Sequence, residues 1–167
     1  MSAIISACGL YRYRLERSIK EDGLTFAYFG INPSTADAEI DDPTVRKWRG
    51  FTERNGGARF IVGNAFAYRA TDVGDLKSAI DPVGRENPGH IWEIMHDADV
   101  IVPCWGARGK LPMRLRPRLD ALKLFIFDYA EENSKPVKIF GFAKSGDPLH
   151  PQMLGYSTPL IDWKKTK

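Results

Sequence analysis

Cysteine is scarce in this chain. Cys8 and Cys104 are the two present, too few for a disulfide framework or a four-cysteine metal site. Both are expected as reduced thiols in a cytoplasmic protein. Long hydrophobic runs are missing too: none approaches the roughly 20 residues of a membrane span, so no membrane partner is expected. The N-terminal MSAIISACGLYRYRLER has a short apolar stretch with no basic residue ahead of it, and does not read as a signal peptide. Of the three histidines, His90 and His96 lack ligand spacing. There is no Cys/His metal pattern and no Gly-Lys-Ser phosphate loop, so neither cofactor nor metal is expected. No repeat or low-complexity tract stands out. Neither sign of charge dominates, with 24 basic against 21 acidic residues. A net charge of +3 permits a nucleic-acid partner without demanding one.

What is present suits one globular α/β domain over residues 1–167, with 43% apolar residues to build a core. Tyr11 to Leu15 alternates like a half-exposed edge strand. Leu24 to Ile31, Arg59 to Gly63, Asp99 to Cys104 and Val137 to Gly141 are short, mostly apolar runs, each expected as a buried strand. Helical patterns lie between them. Pro43 to Arg54 follows Asp42 as N-cap, with Pro43 at the first helical position and Gly56-Gly57 at the end. Asn87, followed by Pro88, is read as the cap of a helix running to about His96. Pro117 to Asn133 carries Leu119, Leu122, Phe125, Ile126 and Tyr129 at helical spacing. Strands alternating with helices, and apolar on both faces, predict a three-layer α/β/α sandwich. Its four-stranded central sheet would be mainly parallel.

Ligands of such folds bind outside the carboxyl ends of the strands, and there the sequence turns polar. The first strand ends in Gly30, Asn32, Pro33 and Ser34, and the second in Asn64, Phe66, Tyr68 and Arg69. The third is followed by Trp105, Gly106, Arg108 and Lys110, and the fourth leads through Lys144 to Asp147 and His150. An Asn amide offers both a donor and an acceptor, and can read a planar base edge. Phe66 and Tyr68 offer stacking faces; Trp48 and Phe51 do too, but suit the core better. Arg69, Arg108, Lys110 and Lys144 could neutralise phosphate. A His near a leaving group can stabilise developing negative charge. The set suits a nucleobase, in nucleic acid or in a nucleotide.

Gly30-Ile31-Asn32-Pro33 resembles the first active-site motif of the mismatch-specific and thymine-DNA branch of the uracil-DNA glycosylases. Asn64 matches the asparagine that reads the uracil edge in that superfamily, and His150-Pro151 is similar to the start of its His-Pro-Ser motif. The resemblance covers roughly Tyr28 to Pro151 and implies a glycosylase-like fold and hydrolysis of an N-glycosidic bond. It assigns Asn32 to placing water, Asn64 to the base edge, His150 to the leaving group, and Gly30, Pro33 and Ser34 to the base pocket. Two positions depart from the pattern: Gln152 stands where the motif has Ser, and Ser34 where the branch has Gly. The whole chain, through "NPSTADAEIDDPT" and "NAFAYRATD", resembles a family of small bacterial and phage proteins, domain of unknown function 1643.

The acidic loop from Asp37 to Asp42 has no counterpart in the glycosylase motif, and would repel a phosphate backbone. That argues against ordinary duplex DNA and leaves a modified base, a free nucleotide or another ligand. Asp37 or Asp41 could supply a stronger base than Asn32. With Asp42 they could instead hold a divalent cation beside a substrate phosphate, as a phosphoester hydrolase would; the bland reading is a capped helix and a solvated loop. A basic stretch, Arg108 to Arg118, is either a phosphate contact or a solvated face. A pocket that binds a nucleobase without cutting it stands beside the enzymatic reading.

Overall fold

The computed structural model describes residues 1–34 and 36–165. In chain order its elements are β1 (Ser2–Ile5), β2 (Arg12–Ser18), β3 (Leu24–Gly30), α1 (Pro43–Arg54), β4 (Gly57–Asn64), α2 (Asn87–Asp97), β5 (Val100–Pro103), α3 (Pro117–Glu132), β6 (Lys138–Ile139) and β7 (Ile161–Asp162). No helix among the described residues is long and apolar enough to cross a membrane.

The main sheet has five strands in the order β1-β2-β4-β3-β5. It is mixed, which corrects the expectation of a mainly parallel sheet. β3 runs parallel to β4 and β5, while β2 is antiparallel to β4, and β1 to β2. Alternation along the strands sends side chains to two faces. Phe26 and Tyr28 pack with Val45, Trp48 and Phe51 of α1 on one side. Ala27 and Phe29 meet Ile91 and Ile94 of α2 and Leu119 and Leu122 of α3 on the other. Helices therefore cover both faces of the sheet.

Three local expectations change. β2 is not an edge strand, because β1 covers it; Arg12 and Arg14, which read as solvent-facing, are buried, and so is Arg17. The expected strand from Val137 to Gly141 makes one parallel bridge to the main sheet, Val137 with Ile101, and then pairs as β6 with β7. Its extension along β5 stops for a chemical reason. The Ile101 amide donates outward to the Pro136 carbonyl at 3.0 Å. The next outward position on β5 is Pro103, which has no N–H to give. Asn87 does not cap α2: Glu86 holds the cap position without a side-chain bond. Asn87 instead sends Nδ2 to the carbonyls of Asn64 (3.0 Å) and Ala65 (3.4 Å). By contrast Asp42 caps α1 as expected, accepting the Val45 amide at 2.9 Å.

β3 lies between β4 and β5, so the chain leaves it to one side through α1 and returns on the other through α2. That reversal opens a crevice at the carboxyl ends of the parallel strands.

Candidate functional site

A pocket of about 340 Å³ occupies that crevice, at the small end of the range typical of small-molecule sites. Gly30, Asn32, Ser34, Asn64 and His150 line it, with Arg12, Asp42, Thr44, Trp48, Thr71 and Trp105. The ends of β3 and β4, the start of β2, the N-terminus of α1 and the segments after β5 and β6 thus converge.

Asn64 is 3% exposed, and its Nδ2 is sealed from water without a hydrogen-bond partner. Its backbone is fixed by the parallel register with Gly30 and by the clamp from Asn87. Gly30 makes room for it: a Cβ at residue 30 would stand 2.8 Å from Asn64 Oδ1. A turn of the amide about its last side-chain bond would present the unpaired donor to a ligand carbonyl. Such a group carries a penalty of about 1–3 kcal/mol in the empty pocket.

Asn32 is held differently. Its Nδ2 donates to the carbonyls of Pro33 (3.0 Å) and Ala70 (2.7 Å), and no donor among the described residues meets its Oδ1. The side chain is braced to offer an acceptor. His150 accepts the Gln152 amide at Nδ1, at 3.3 Å, so the neutral ring carries its proton on Nε2. Burial lowers its pKa from the ordinary histidine value, against a smaller opposing pull from Asp42. Gly106 lets His150 approach; its φ is +77°, and a Cβ there would lie 3.0 Å from that of His150.

Arg12 is 3% exposed and sends Nη1 to the Ala36 carbonyl at 2.6 Å. Burial pushes its pKa down to about 10, which leaves it charged at neutral pH. Trp48 packs parallel to Tyr28 and donates to Cys104 Sγ at 3.3 Å. Burial raises that thiol to about 12, which keeps it protonated at neutral pH. Trp105 donates to Asp147 at 3.4 Å.

Gln152, which stands where the glycosylase motif has Ser, also lines the pocket; the remaining candidate residues do not. Pro33 is buried beneath it, its carbonyl taken by Asn32 and Ala70. Phe66 belongs to the core, and Tyr68 lies edge-on to Tyr11. Arg69 reaches the Gly9 carbonyl. Arg108 is locked between Asp147 and Asp120, and Lys110 and Lys144 are exposed elsewhere. Arg114, Arg116 and Arg118 brace carbonyls of Lys77, Leu111 and Ala65.

The acidic loop is also resolved into separate tasks. Asp37 Oδ1 accepts the Glu39 and Ile40 amides, which hold its carboxyl below the usual range. Asp41 pairs with Arg17 and Arg49, and Asp42 caps α1. No group of three His, Cys, Asp or Glu side chains placed to hold a metal occurs among the described residues. The loop carboxylate that reaches the pocket is Asp42, not Asp37 or Asp41.

Arg12 and Thr44 were absent from the sequence-derived set. Arg12 is camouflaged by the Tyr-Arg-Tyr-Arg alternation, which looks like a strand with a wet face. Asp42 was visible as a helix cap and as one of three carboxylates that could hold a cation, not as a wall of the base pocket. No curated protein and no solved structure matches this chain. A family model described as "Protein of unknown function (DUF1643)" matches residues 12–152, a span that holds every pocket residue named above. The chain belongs to the DUF1643 family.

Proposed function

We propose that this pocket binds a nucleobase and that the protein hydrolyses the N-glycosidic bond joining it to the sugar, in DNA or in a nucleotide. One observation carries the reading: Asn64 lines the pocket, and its amide, whose Nδ2 is withdrawn from water and finds no partner among the described residues, can turn that donor to a base edge. The resemblance of Gly30-Ile31-Asn32-Pro33, Asn64 and His150-Pro151 to the uracil-DNA glycosylase motifs supports it.

In the reaction the bond between the sugar C1′ and the base nitrogen breaks, and its electron pair leaves with the base. The oxygen of one water bonds to C1′. One water proton stays on the new hydroxyl, and the other ends on the base or on a protein group. Asn32 Oδ1 accepts a hydrogen bond from that water and aims it; an amide cannot take the proton. Asp42 is the carboxylate on the same wall that can. The Nε2–H of neutral His150 donates to a carbonyl oxygen of the departing base as negative charge gathers there. For a base within a duplex, the nucleotide must first swing out of the stack.

Because Asn32 is not itself a base, a module that binds without turnover is the second reading. A base-release assay separates the two. The substrates are oligonucleotides with uracil, mismatched thymine or modified pyrimidines, single- and double-stranded, and the corresponding nucleotides. Free base from the wild type, reduced about a hundredfold or more in Asn32→Ala and Asn64→Ala, is the expected result. Ligand-induced stabilisation with no product from any substrate would establish the binding module instead.

A further inference from the structure

β2 carries three buried arginines, and two of them have carboxylate partners. Arg14 pairs with Glu16 and Asp97, and Arg17 with Asp41. Arg12 forms no salt bridge among the described residues, its Nε is buried without an acceptor, and it lines the pocket. The carboxylates of Asp42 and Asp37 act on it only at longer range, and a buried guanidinium without a direct ion pair is unfavourable unless something completes it. A second feature meets it. The 12-residue helix α1 opens onto the same pocket through Pro43 and Thr44. Asp42 takes the Val45 amide, while the Thr44 amide has no partner within the helix. The positive end of a helix dipole and the single free amide of Thr44 favour an anion.

We infer that the ligand brings its own phosphate inside: a nucleoside monophosphate whose phosphate sits against Arg12 and the N-terminus of α1 while its base meets Asn64. The inference rests on the nucleobase reading above and narrows it to a free nucleotide. A phosphodiester within a strand continues on both sides and stays at the mouth of a pocket, whereas Arg12 is 97% buried by its 3% exposure. The cations that a polymer backbone would need, Arg69, Arg108, Lys110 and Lys144, do not line the site. Asp42 shares this wall and opposes the phosphate charge, so the balance between Arg12 and Asp42 sets the affinity.

Calorimetric titration of the wild type with nucleosides, their 5′-monophosphates and single-stranded oligonucleotides of the same bases tests this. A monophosphate should bind about tenfold or more tighter than its nucleoside, and inorganic phosphate should compete with the monophosphate but not with the nucleoside. Arg12→Gln should abolish the difference. Because that variant also loses the Ala36 contact and could fail to fold, Asp42→Asn is the second: Asn keeps the helix cap and should raise the affinity for monophosphate relative to that for nucleoside, and an unchanged ratio overturns the inference. Equal affinity for nucleoside and monophosphate overturns the inference and leaves the nucleobase reading standing. An oligonucleotide binding more tightly than the monophosphate overturns it in favour of a polymer. Failure of nucleoside, monophosphate and oligonucleotide alike overturns the nucleobase reading itself, and this inference with it.

Discussion

Gly30 and Asn64 face each other across the β3–β4 ladder, and the pair shows how one missing methyl shapes a site. Gly30 does not have a positive φ, so alanine is tolerated by the backbone there. Its Cβ would nevertheless press on Asn64 Oδ1 at 2.8 Å. Gly30→Ala is therefore expected to keep the fold, with stability changed by about 1 kcal/mol or less, while ligand binding falls about tenfold or more as Asn64 swings aside. Denaturant unfolding beside ligand titration checks this; equal loss in both would mean that Gly30 serves packing alone. At this scale the sequence was informative about identity and silent about state. Asn32, Asn64 and His150 stand out as polar residues at strand ends. That Asn32 uses its Nδ2 on backbone carbonyls, while Asn64 leaves its own empty, depends on neighbours from residues 70 and 87.

At the scale of elements, the acidic loop is shaped by an arginine from another strand. Arg17 is fully buried and reaches Asp41 Oδ1 (2.7 Å), the Asp37 carbonyl (2.6 Å) and the Glu16 carbonyl (2.9 Å). Arg12 holds the Ala36 carbonyl from the same strand. Together they fasten the loop to β2 and so fix where α1 begins and where Asp42 sits. Arg17→Met should destabilise the protein by about 3 kcal/mol, since it strands these acceptors, and should weaken ligand binding by displacing Asp42. Chemical denaturation and hydrogen exchange across residues 36–42 read both effects. A loss of stability with unchanged exchange in that segment would mean that Arg17 supports only the sheet. The helices were legible because caps and periodicity are local: Asp42-Pro43 and Pro117 mark their starts as expected. The identity of β2 as an interior strand was not. Its Arg14 and Arg17 find carboxylates, and Arg12 a carbonyl, brought largely from elsewhere in the chain, and periodicity carries no record of those.

At the scale of the whole molecule, His150 ties the C-terminal segment to the pocket, and its state links folding to pH. Burial lowers its folded pKa below the ordinary value of about 6.5. The unfolded chain therefore takes up a proton first as pH falls. His150 imposes no penalty above about pH 6.5, and stability declines as pH drops through the interval down to its lowered folded value. Wild type should lose stability relative to His150→Gln over that interval and keep a constant difference above it. Melting temperatures of the two proteins between about pH 8 and about pH 5 test this; parallel curves throughout would show that His150 does not titrate differently in the folded state.

The sequence alone determined β3, β4 and β5 as buried strands and α1, α2 and α3 as amphipathic helices, where α1 and α3 begin, and which polar residues follow those strands. It also carried the family, through phrases long enough to be specific. These are properties of neighbours along the chain: side-chain period, capping chemistry and turn residues. The tertiary structure decided the rest. It made the sheet mixed, because β1 and β2 fold back antiparallel on β4. It kept the Val137–Gly141 segment out of the main sheet, because Pro103 has no amide to offer it. It drew Arg12, Asp42 and Trp48 into the pocket, and left Asp37, Asp41 and Arg108 bound to partners elsewhere. These outcomes turn on which strand meets which neighbour and which buried charge finds which distant acceptor, and such pairings exist only once the chain has closed on itself.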